Sequence, residues 1–181
     1  MINREEALTL VQERLTQDNL VKHVLAVEMV MRGLAKRMDE DEELWGLTGL
    51  LHDLDYMQTE ATPERHGSLT VIDLKDKLPP EALQAILVHA GHQPAQTNFD
   101  WALYCADPVT GLITAGVLMH PSHSLKDYSV KSLKKRFKDK RFAAGANREQ
   151  MESCVNLGLS LDEFLALALQ AMTEGAETLG L

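Results

Sequence analysis

Cysteine is scarce in this chain: Cys105 and Cys154 are the only two, and no CxxC pair occurs. A disulfide framework and a thiolate zinc ribbon are both excluded on that ground. No apolar run approaches the ~20 residues of a membrane span. The first ten residues, MINREEALTL, carry charges where a signal peptide needs its apolar stretch. A cytoplasmic protein with no membrane partner is therefore expected. Strand-like alternation between turn residues is missing, as are internal repeats and low-complexity tracts. Positive charge is short overall. The 18 Lys and Arg against 27 Asp and Glu leave a net charge of −9, which disfavours a nucleic-acid polymer as partner.

What is present is an ordinary globular composition, 45% hydrophobic and 25% charged over 181 residues. That is enough chain for one core without covalent staples. Helix signals then follow one another closely. Asn3 with Glu6 resembles a capping box, and the next dozen residues suit a helix. Asp18 can cap a second helix to about residue 38, with Leu20, Val24, Val27, Met31 and Leu34 along one face. Asp41 opens a third through Leu51. Thr62 with Pro63 predicts a fourth over 63–78, and Pro79-Pro80 stops it and starts a fifth over 80–91. Asn98 or Asp100 opens a sixth, which Pro108 is expected to kink or interrupt. Asn147 with Gln150 starts another, Gly158 ends it, and Ser160 with Glu163 caps a last helix over 161–179. The fold class is all-α, with a helical core over 1–120 and a C-terminal helical extension over 121–181.

Charge is unevenly spread. Residues 126–141 hold eight basic and two acidic residues, while the rest of the chain is acidic. Taken alone, such a run suits a solvated helix face; beside a site for a small anion it suits substrate binding.

Seven histidines stand at 23, 52, 66, 89, 92, 120 and 123. His23 falls on the apolar face of the second helix, His52 follows Leu50-Leu51, and His89 comes three residues after Ile86. Asp53 and Asp107 also follow apolar stretches. Polar groups aimed at an interior need partners there. One such histidine is usually a hydrogen-bonded core residue, but several on separate helices with two aspartates favour a metal. Imidazole and carboxylate ligands suit Mn, Fe, Co, Ni or Zn. His52-Asp53 is the sharpest pair, with His23 and Asp107 as natural companions. His120 and His123 flank Pro121 and read as surface residues.

The pattern H…HD…D, here NLVKH at 19–23, GLLHD at 49–53 and ALYCAD at 102–107, resembles the HD-domain superfamily of metal-dependent phosphohydrolases. The resemblance spans about residues 18–120. It implies an HD-domain-like helical bundle and His23, His52, Asp53 and Asp107 as metal ligands, with catalysis centred on Asp53. It further implies that His66 and His89 bind a second ion bridged by Asp53, with His92 as the rival of His89. One or two divalent transition-metal ions are expected. Many members continue the pair as HDIGK; here Asp55 and Tyr56 stand at the Gly and Lys positions. No role of that lysine carries over. Asp55 can partner a ligand, accept a proton or simply cap the following loop. The GYP extension of cyclic-dinucleotide phosphodiesterases is absent.

The expected function is hydrolysis of a nucleotide or related small phosphoester by a metal-activated water. Arg65, Lys134 and Lys135 are candidate substrate-binding cations. Two alternatives use the same residues: an HD-fold diiron oxygenase, and a non-catalytic metal- or nucleotide-binding regulatory module. No heptad run predicts an oligomeric state.

Overall fold

Helix ends fall where side chains satisfy the free backbone groups of a helix terminus. In the computed structural model, which describes residues 1–181 and contains no strand, Asn3 accepts from the Glu6 N–H and the Glu6 carboxylate accepts from the Asn3 N–H. That capping box opens α1 (Arg4–Arg14). In α2 (Asp18–Met38) the cap position belongs to Gln17, not Asp18. Asp18 lies in the first turn and pairs with Lys22 at 3.1 Å. Asp41 caps α3 (Glu42–Leu51), accepting from the N–H groups of Glu43 and Leu44.

The single helix expected over 63–78 is not formed. After one turn of α4 (Tyr56–Thr59), a 3-10 turn (Pro63–Arg65) and α5 (Ser68–Leu74) cover this stretch instead. The break falls at Gly67, whose φ of 75° is open to glycine. A Cβ there would stand 2.7 Å from the Ala90 Cβ, so the chain bends where it meets the end of α6 (Pro80–His89).

Thr97, rather than Asn98 or Asp100, caps α7 (Asn98–Leu118), with Asp100 as its capping-box partner. Pro108 lies inside α7 and does not interrupt it. It withholds one N–H from the Tyr104 carbonyl. The helix's own side chains on either side, among them Leu103, Ala106, Val109, Leu112 and Ile113, are fully buried against the other helices, and this packing holds it together. By length and composition α7 is also apolar enough to cross a membrane, which corrects the expectation that no stretch reaches that length. Most of it is buried against the other helices.

After a 3-10 turn (Leu125–Asp127) come α8 (Val130–Lys138), α9 (Arg148–Glu152) and a further 3-10 turn (Ser153–Leu157). Gly175 divides the expected last helix into α10 (Leu161–Glu174) and α11 (Ala176–Leu179). α2 packs on α3, α7 and α10, while α7 also carries α6, α8 and α9. One core of 46 buried residues runs from Ile2 to Leu179, so the C-terminal helices share it. Two polar or aromatic joints add to it. Glu28, 2% exposed, is held by Arg4 at 2.7 and 2.9 Å and by Arg32 at 3.1 Å, which ties α1 to α2. Trp45 stacks on Phe99 with ring centres 5.0 Å apart, joining α3 to the start of α7. This packing sets α2, the end of α3, the end of α6 and the middle of α7 around one polar centre.

Candidate metal centre

Four histidines and two aspartates meet at that centre. His23 projects from α2, His52 caps the C-terminus of α3, His89 ends α6, Asp107 lies in α7, and His66 follows the 3-10 turn. His23 Nε2 lies 3.1 Å from Asp107 Oδ1 and 3.5 Å from Asp53 Oδ2. His52 Nε2 is 3.2 Å from Asp53 Oδ1 and 3.8 Å from Asp107 Oδ1. His66 Nε2 and His89 Nε2 stand 3.2 and 3.4 Å from Asp53 Oδ1. Asp53 therefore faces His23 with one oxygen and His52, His66 and His89 with the other.

The far nitrogen of each ring is fixed by a hydrogen bond. His52 Nδ1 donates to the Gly49 carbonyl at 2.8 Å, and His89 Nδ1 donates to the Ile86 carbonyl. His66 Nδ1 donates to Asp55 Oδ1 at 2.9 Å. Thr110 gives its own proton to the Asp107 carbonyl at 2.9 Å, and its oxygen accepts from His23 Nδ1 at 3.2 Å. With every Nδ1 committed as donor, every neutral ring turns an Nε2 lone pair inward, the state a metal requires.

Asp55 is a residue whose weight the sequence understated. It is 2% exposed and its carboxylate accepts from His66 Nδ1 and from the N–H groups of Gly67, Leu69 and Thr70. It both orients an imidazole and satisfies the start of α5. Burial works against its charge, but these donors hold its pKa below the ordinary carboxylate range. Thr110 and the two backbone carbonyls carried no signal in the sequence at all.

Electrostatics push the same way across the centre. Burial disfavours a charged His23, yet its hydrogen bonds to Asp107 and Asp53 prevail and push its pKa up to about 10. His66 follows the same balance through Asp53 and Asp55, also to about 10. Burial likewise opposes ionisation of Asp53 and Asp107, but the surrounding imidazoles hold both well below the usual carboxylate range. Without a metal, protons supply the positive charge that the buried carboxylates demand.

The donor set fits a cation on three further counts. His52 Nε2 is buried and has no hydrogen-bond partner. His66 Nε2 and His89 Nε2 face each other at 3.2 Å, a contact between two lone pairs unless a positive charge lies between them. Two triads, His23–His52–Asp107 and His52–Asp53–His89, each bring their ligand atoms within 4.8 Å of one another. All-imidazole and carboxylate ligation suits a divalent transition metal.

The other sequence candidates lie elsewhere. His92 Nε2 donates to the His66 carbonyl at 2.7 Å and meets Ser68 at 3.1 Å, so it braces the His66 turn from outside while His89 faces inward. Arg65 is exposed beside His66. Lys134 pairs with Asp162 at 2.6 Å on α10, and with Lys135 it lines a surface concavity that includes no residue of the centre. The structure does not bring these lysines to the centre; an amphipathic α8 turns them to solvent and to α10. His123 is exposed and His120 bonds Ser122 at 2.8 Å.

The family model of the HD domain matches residues 20–118, more than half of the chain. The chain belongs to the HD-domain family, a match that indicates the superfamily of metal-dependent phosphohydrolases. The matched segment contains every member of the polar centre. Neither a curated protein nor a solved structure matches the chain.

Proposed function

We propose that this HD-domain protein is a metal-dependent phosphohydrolase that cleaves a nucleotide or related small phosphoester at the polar centre. The observation that carries the reading is the convergence of four imidazole Nε2 atoms on Asp53 and Asp107, each ring fixed from behind. In this reading His23, His52, Asp53 and Asp107 hold one divalent ion, and Asp53, His66 and His89 hold a second.

A bound divalent metal acidifies water and draws charge from a phosphoryl oxygen. The chain's own part is placement. Asp53, shared between the two halves, fixes their separation, and Thr110 and Asp55 keep the outer imidazoles from turning. His52, Asp53 and His89 are buried, which strengthens the charge interactions there, while the partly exposed His23, His66 and Asp107 leave the centre open to water and substrate. Hydrolysis joins a water oxygen to phosphorus, breaks the ester P–O bond, and yields inorganic phosphate and an alcohol.

The test is phosphate release from a panel of nucleotides and simple phosphomonoesters, on protein purified without oxygen or chelators and then loaded with Mn, Fe, Co, Ni or Zn. Metal-dependent release that Asp53→Ala abolishes supports the reading. Oxygen-dependent turnover with a mixed-valence two-iron signal, or no metal uptake at all, contradicts it.

A further inference from the structure

Five glycines lie within helices, at 33, 46, 49, 111 and 116. Four are kept small by packing. A Cβ at Gly33 would meet Ala171 at 3.2 Å, one at Gly46 would meet Arg32 at 2.6 Å, and one at Gly49 would meet Met31 at 2.9 Å. At Gly116 it would strike the Tyr128 hydroxyl. At Gly111 it would meet nothing within 4 Å, and the backbone there is ordinary helix. Glycine is the poorest residue other than proline for a helix interior. Neither packing nor backbone conformation accounts for it at this position.

Open space above Gly111 belongs to a cavity of about 430 Å³. His23, a member of the polar centre, forms part of its wall. Gly111 stands one helical turn beyond Asp107, a rise of about 6 Å. The cavity therefore opens directly beside the place where a phosphoryl group would sit. Its remaining walls include the apolar Ala115, Leu118 and Leu179 and the charged pair Asp18 and Lys22. Leu118 is 51% exposed, an apolar side chain left in the open. No Phe, Tyr or Trp lines this cavity. A second concavity does hold aromatics, Trp101 and Tyr104, but it includes no residue of the centre.

Resting on the phosphohydrolase reading, we infer that Gly111 is a specificity-determining residue that keeps room beside the metal centre for the organic group of the ester. That group is compact and aliphatic rather than a stacked nucleobase. Leu179 lies in α11, beyond the matched HD segment, so the C-terminal extension supplies part of the wall. Lys22 lines the same cavity, but Asp18 at 3.1 Å offsets its charge, so the ester's negative charge is left to the metal centre.

The experiment compares wild type with Gly111→Ala and Gly111→Leu, each loaded with Mn and titrated calorimetrically with methylphosphonate and hexylphosphonate. Metal content and helicity are measured in parallel. Both replacements favour helix, and both side chains point into space, so folded protein is expected. Wild type should bind hexylphosphonate at least tenfold more tightly than methylphosphonate. The preference should shrink in Gly111→Ala and fall below about twofold in Gly111→Leu, as a side chain fills the space. A metal-loaded wild type with no chain-length preference overturns the cavity assignment and leaves the metal centre standing. So does a Gly111→Leu variant that keeps the preference. Tighter binding of a non-hydrolysable adenosine phosphonate than of hexylphosphonate overturns the aliphatic assignment. A chain that takes up no metal and binds neither alkylphosphonate overturns this inference together with the reading it rests on.

Discussion

The two halves of the polar centre are built by different means. His23, His52 and Asp107 ride on α2, the end of α3 and α7, helices that the core locks together. His66 and His89 stand on a bent turn and at the last residue of α6, where helix packing alone does not set an imidazole's direction. His89 is held by the Ile86 carbonyl of its own helix, and for His66 one carboxylate replaces packing: Asp55 binds His66 Nδ1 and three backbone N–H groups around the bend. Asp53 spans both halves. In the proposed two-ion arrangement most ligands thus ride on packed helices and are held by groups of those helices, whereas His66 alone needs a carboxylate from outside them.

Removing the shared residue should erase the difference. Asp53→Ala is expected to reduce metal content in both halves and to lower phosphate release at least about a hundredfold. Elemental analysis beside a phosphate assay checks both. Asp55→Ala should instead separate the halves. It frees His66 and leaves the first turn of α5 uncapped, so the affinity for the second ion should fall about 10- to 100-fold while the first ion stays bound. The same change should lower stability by about 1–3 kcal/mol, measured by denaturant unfolding of the metal-free protein. Thr110→Val perturbs the better-supported half, since His23 loses its acceptor but keeps its helix. A weaker effect is expected, about tenfold in first-ion affinity.

Acid distinguishes loaded from metal-free protein. His23 and His66, held protonated up to about 10, must each release a proton to bind metal, so apparent affinity should rise with pH across the neutral range. In the metal-free chain the sign reverses. The raised imidazoles stabilise the fold fully below their ordinary 6.5, and that gain is lost as pH rises toward 10. The lowered Asp53 and Asp107 stabilise it above their ordinary 3.8, and that gain is lost on acidification. Metal-free protein should therefore be most stable between these values, and metal-loaded protein at higher pH, as melting temperatures across pH will show. The smallest change is expected from Lys134→Glu with Lys135→Glu. Those residues lie on α8, so KM should move less than about twofold, and loss of the exposed Asp162 pair should cost about 0.2–1 kcal/mol.

Helical periodicity and caps made most of the fold legible, because Asn3, Asp41, Asn147 and Ser160 act locally and are read locally. Misreadings occurred where distant contacts decide. The bend at Gly67 depends on its approach to Ala90, and the continuity of α7 through Pro108 depends on neighbours from other helices. The metal-centre candidates were visible because histidine and aspartate on apolar faces are unusual. Their orienting partners were not, since a threonine and two backbone carbonyls look alike in any helix. His89 and His92 could not be separated by spacing, and only the end of α6 shows which faces inward. The basic stretch admitted two readings, a solvated face or an anion site, because charge on one helix face says nothing about what that face meets; the structure places Lys134 against Asp162.

Metal content per chain, measured side by side in wild type and Asp55→Ala purified without oxygen or chelators, tests the central claim most directly. Two supported poles predict about two ions in wild type and about one in the variant. One ion in both proteins would contradict the role given to His66 and His89, and none in either would contradict the metal centre itself.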